Sequence, residues 1–89
     1  MKMVVVSVKD LGTQCFGRPF FVSHPNQAIR SFMDEVNRAP PDNAQNDLFS
    51  HPSDFELYYV GDFDDATGSL IPLDDGPRIL SRAVDAKLT

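Results

Sequence analysis

The stretch FELYYVGDFDDATG, residues 55–68, decides the fold. Phe55, Leu57 and Tyr59 alternate with Glu56, Tyr58 and, further on, Asp62, which is the two-residue period of a strand with one face buried. Asp64, Asp65, Ala66, Thr67 and Gly68 follow. They supply side chains that bond to nearby backbone and a glycine able to take positive φ, so the chain should reverse here. A return strand over 69–73 (SLIPL) then makes 55–73 a β-hairpin.

The apolar face of this hairpin needs a cover, and the sequence upstream provides one. Ile29, Phe32, Met33 and Val36 fall at i, i+3, i+4 and i+7, one stripe of an amphipathic helix, with Arg30 and Asp34 spaced to pair on the solvent side. Pro25 suits the first turn, Ser23, His24 and Asn26 are candidate caps, and Pro40 and Pro41 should stop the helix soon after Asn37. Met3 to Val8 places valines 4, 6 and 8 on one face and Met3 and Val5 on the other, as in a central strand buried on both sides. Residues 10–17 (DLGTQCFG) read as a loop, and Arg18 to Val22 as a second short strand, which Pro19 assigns to a sheet edge.

Residues 39–54 (APPDNAQNDLFSHPSD) form a long polar connection, the segment expected to be most mobile. After the turn at 74–77 (DDGP), residues 78–84 fit a strand about as well as a short helix, with strand favoured. The layout is a single α+β domain over 1–89: a small antiparallel or mixed sheet of four to five strands, with one amphipathic helix packed on one face. A helical last segment would instead suggest a ferredoxin-like arrangement.

Eighty-nine residues suffice for one modest core, so self-association into a homodimer would add useful burial. The single Cys15 offers no internal disulfide and points to a reducing compartment. The apolar run near the start is closed by Lys9 and Asp10, too soon for a signal core or a membrane span. Net charge is −5, unevenly spread. Residues 1–41 and 76–89 each sum to +2, whereas residues 42–75 hold nine acidic side chains and no Lys or Arg. That balance argues against simple coating of nucleic acid, which needs many cations, but leaves room for local basic patches.

Asp62, Asp64 and Asp65 invite a cation, since carboxylates two apart on a strand share a side. The EF-hand pattern fails at Ala66, Thr67 and Leu73, so turn chemistry is the favoured reading and no metal site is assigned. Cys15 lacks the context of a nucleophile with its base, and His24 and His51 are too few for zinc without added carboxylates. Neither a phosphate loop nor a dinucleotide fingerprint occurs. A non-enzymatic protein without cofactor is expected. The best nucleic-acid candidates are Arg18, Phe21 and Arg30, because single-stranded bases stack on aromatics while arginines hold phosphates; filling the core is the blander role for Phe20 and Phe21. The acidic Asp62, Asp64 and Asp65 are the alternative contact, for a protein partner.

Several phrases in order, RPFFV at 18–22, AIRSF at 28–32, DEVN at 34–37, HPSDFELY at 51–58 and GDFDDATG at 61–68, resemble the small nonstructural protein of gokushoviruses, single-stranded DNA bacteriophages of the Microviridae. The resemblance spans about residues 1–84. It implies a phage protein working in the host bacterial cytoplasm, often labelled DNA-binding by analogy with the microvirus protein that switches replication from duplex copying to single-strand synthesis. No catalytic or binding residue comes with it. The expected role is a regulator of viral DNA replication or packaging, with single-stranded DNA and phage replication or procapsid proteins as partners. The alternative is an acidic module that binds phage or host proteins.

Overall fold

The structure, a computed structural model, describes residues 1–88. Six antiparallel strands make one sheet: β1 (Lys2–Asp10), β2 (Cys15–Phe16), β3 (Phe20–Val22), β4 (Phe55–Asp64), β5 (Ser69–Pro72) and β6 (Arg78–Arg82). The helices are α1 (Pro25–Val36) and two single turns, α2 (Asp47–Ser50) and α3 (Ala83–Ala86). None is long and apolar enough to cross a membrane.

The six strands occupy four lanes. β1 and β4 pair along their whole lengths in the centre, from Lys2 opposite Asp64 to Asp10 opposite Phe55. β2 and β3 are two pieces of one outer lane on β1, split at Gly17–Pro19. β5 and β6 form the other outer lane on β4, split at residues 73–77. β1 is thus central and Pro19 lies in an edge lane, where its missing N–H costs no ladder bond. Ser7 is buried opposite the first split, and its hydroxyl donates to the Gly17 carbonyl at 2.8 Å.

The helix covers one face of the sheet. Val4, Val6, Val22 and Leu57 meet Ala28, Phe32 and Val36 of α1, and Ala83 and Ala86 of α3 close the cluster. Burying a side chain as large as Phe32 or Leu57 contributes about 1.5–3 kcal/mol each. His24 caps α1, its Nδ1 accepting from the Asn26 N–H at 3.0 Å, and Pro25 opens the first turn. The helix ends at Val36 with Asn37 as C-cap, ahead of the two prolines. Its buried stripe runs through Ala28, Phe32 and Val36, while Met33 is largely exposed because it sits at the edge of the apolar sector.

Several expectations change. Cys15 and Phe16 were placed in a loop but form β2, a pairing with Lys9 and Asp10 too short to show a period. Arg30 and Asp34 form no ion pair; the helical pair is Glu35 with Arg38. The last segment is both forms at once, strand over Arg78–Arg82 and helix over Ala83–Ala86; a ferredoxin-like arrangement needs a second crossover helix between strands, and among the described residues β4, β5 and β6 follow one another with none.

The connection 39–54 is far from structureless. It contains α2 and a 3-10 turn at Pro52–Asp54, and Leu48 packs against the core. Buried Asn46 donates to the carbonyls of Glu35 and Arg38, both at 2.9 Å. Lys87 reaches the Val36 and Phe49 carbonyls and lies over the Phe49 ring.

Candidate functional site

With α1 on one side, the opposite face of the sheet carries no covering element, and the register says what it presents. Side chains opposite one another on neighbouring strands share a face. Val4, Val6 and Leu57 face the helix, so Val5, Lys9, Glu56 and Tyr58 face away from it.

Near the β2 end the open face bears Phe16, Lys9, Glu56 and Arg82 in one row across the lanes. Tyr58 and Ile79 follow in the next row. Phe16 and Tyr58 meet edge to face with ring centroids 5.3 Å apart, and the Lys9 ammonium lies 5.5 Å from the Phe16 centroid. Phe16 keeps 43% of its surface exposed, with the Tyr58 ring against one edge. Glu56 is the carboxylate of this region, and it is already engaged: Arg82 sits 3.4 Å from it and the Tyr58 hydroxyl donates to it at 2.9 Å. That hydrogen bond, followed by partial burial, holds the Tyr58 hydroxyl above the ordinary tyrosine pKa. Both Lys9 and Arg82 therefore stand beside exposed aromatic surface with one carboxylate between them.

A bulge then changes the parity of the sheet. Val5 pairs with Gly61 and Val6 with Tyr59, which leaves Val60 as an extra residue on β4. Asp62, expected outward with Glu56 and Tyr58, consequently lies opposite Val4 on the helix side. It accepts a 2.6 Å hydrogen bond from the Tyr59 hydroxyl, which raises the Tyr59 pKa, with partial burial adding to the effect. Phe63 moves the other way. It reaches the open face and stacks on Phe21 with centroids 5.5 Å apart and planes within 5°. Beyond the bulge lies an apolar cleft of about 330 Å³ between Val5, Phe21, Gly61, Leu70 and Pro72.

Of the nucleic-acid candidates, Phe21 stands on the open face with 49% exposure, and Arg18 is exposed three residues earlier in the same outer lane. Arg30 does not join them. It is exposed on α1, two residues beyond buried Ala28 and so on the helix side turned away from the sheet. Phe20 points to the helix side, opposite Val6, at the margin of the core.

The three aspartates do not converge either. Asp62 serves Tyr59, Asp64 accepts from the Ala66 N–H at 3.0 Å in the turn, and Asp65 holds the Met1 amino group at 2.9 Å. Among the described residues no three His, Cys, Asp or Glu side chains gather as a metal-binding group. Cys15 is free and exposed. The grouping of Lys9, Phe16, Tyr58 and Arg82 was missed in the sequence because β2 was missed. The one signal was Phe16 itself, a large aromatic in a segment otherwise read as loop.

These features define a small α+β domain with one sheet face sealed by a helix and the other face open, aromatic and locally basic. A family model described as "Phage ORF5 protein" matches residues 3–86, and the chain belongs to that phage protein family. No curated protein and no solved structure matches it.

Proposed function

We propose that the protein is a non-enzymatic phage regulator, acting in the host bacterial cytoplasm, that holds single-stranded DNA on the open face of its sheet. Its role is in the switch to single-strand synthesis or in genome packaging. The observation that carries this reading is the placement of exposed Phe16 and half-buried Tyr58 beside Lys9 and Arg82 on one uncovered sheet face, with Phe21 and Arg18 along the adjoining lane. Bases of any sequence stack on aromatic rings, and a few cations track the phosphates. Membership of a phage family and the resemblance to gokushovirus nonstructural proteins supply the viral setting.

The test is fluorescence anisotropy with a labelled single-stranded oligonucleotide at low salt. Phe16→Ala should weaken binding about 5- to 150-fold, corresponding to the ~1–3 kcal/mol of one stacked base. Arg30→Ala, on the far side of the domain, should leave affinity unchanged. Absence of binding by the unmodified protein at low salt, where phosphate contacts are strongest, removes the reading.

A second reading is protein docking through the hairpin tip, where the Asp65 side chain is half exposed. A nuclease-insensitive phage or host partner lost on Asp65→Asn would favour it over DNA contact.

A further inference from the structure

The bulge at Val60 divides the open face into two halves of different chemistry. The half with Phe16 and Lys9 carries charge. The other half, built on Val5, Phe21, Phe63, Leu70 and Pro72, is apolar at these outward register positions, and Asp62, turned to the helix side, is the one ionisable residue that lines its cleft. We propose that this second half is a self-complementary interface on which two copies of the chain dimerise about a two-fold axis.

Three observations favour a second copy as its occupant. The first is area. The chain exposes 5895 Å², against roughly 5,200 Å² for a compact monomer of 9.9 kDa. The excess of about 700 Å² belongs to the whole elongated chain, 44 Å long and 22–23 Å across, and the uncovered sheet face is one contributor to it. The radius of gyration agrees, 13.8 Å against about 12 Å for a compact domain of this length.

The second is shape. Leu70 stands 69% exposed on the lip of the apolar cleft of about 330 Å³. A two-fold axis beside it would put each copy's Leu70 into the other's cleft. Knob and hole on the same patch is what an isologous interface requires.

The third is charge. Two chains of net charge −5 repel, and this half of the face brings a single ionisable side chain to the meeting surface, Asp62 at the cleft, whose carboxylate already accepts from the Tyr59 hydroxyl. At this half the edges also discourage strand-to-strand addition, since β5 ends in Pro72 and β3 is preceded by Pro19. Lys9, Phe16, Tyr58 and Arg82 stay free in such a dimer, whereas Phe21 would be covered; the proposal rests on the apolar half alone and does not depend on DNA binding.

Sedimentation equilibrium of the full chain without DNA, from micromolar to millimolar concentration, tests it. The unmodified protein should shift from single to double mass across that range. Leu70→Glu should stay monomeric, or need at least about tenfold more protein to dimerise. Its far-UV circular dichroism should be unchanged, since Leu70 is exposed in the monomer. Phe16→Ala, in the charged half, should dimerise like the unmodified chain. A monomer throughout, or a dimer of undiminished strength in Leu70→Glu, overturns the proposal. The first of those results would hand the cleft to another ligand.

Discussion

Besides the apolar core, a few single polar side chains stitch distant segments of this small chain together. Asn46 is the clearest. Its amide donates to the Glu35 and Arg38 carbonyls at the end of α1, where helical carbonyls lack partners of their own. Asn46→Ala removes both part-buried bonds, the Glu35 carbonyl keeping only the Arg38 N–H, so urea unfolding should show a loss of about 1–3 kcal/mol. Asn46→Asp should lose at least as much, because an ionised carboxylate cannot donate. An unchanged midpoint in both variants would mean that residues 39–50 contribute nothing to stability. The cap at His24 was legible in sequence because its partner is two residues away. Asn46 was not, since its acceptors lie eight and eleven residues back, beyond the reach of local pattern.

At the level of elements, the hairpin and the amphipathic helix were readable because each carries its own period. The failures fall where a period is too short or is broken. β2 has two residues and no alternation to see. β4 keeps its strand character through Val60, but the extra residue exchanges the faces beyond it, so Asp62 and Phe63 point opposite ways to those the alternation from Phe55 implies. Gly61 is essential to that geometry: a Cβ there would stand 2.7 Å from the Ile71 carbonyl oxygen, too close for any side chain. Gly61→Ala should therefore push β5 away from β4 at a cost of about 1–3 kcal/mol, the usual range for overpacking. Hydrogen exchange would locate the damage, with faster exchange over residues 69–72 and little change over 78–82. Uniform acceleration across both would mean that the two pieces of the outer lane unfold as one, against the split seen at residues 73–77.

For the whole molecule, the acidic band read along the sequence does not fold into an acidic surface opposing the basic ends. Asp64, Asp65, Asp74 and Asp75 lie at turns, Asp62 turns to the helix side, and Glu56 is neutralised by Arg82. The open face thus carries Lys9, nearby Arg18 and an Arg82 that Glu56 already holds at 3.4 Å, on a molecule of net charge −5. Few cations on an acidic body imply weak and shallow electrostatics. If these three alone meet phosphates, the logarithm of affinity for single-stranded DNA should fall with the logarithm of salt at a slope of about −2, well below that of a dedicated coating protein. Lys9→Ala should lower the slope by somewhat under one, as one phosphate contact disappears. Asp74→Asn with Asp75→Asn should instead raise low-salt affinity through reduced long-range repulsion and steepen the slope slightly, because screening removes the gain at moderate salt. A slope steeper than about −4 would require more cations than this face holds and would move the DNA elsewhere on the molecule.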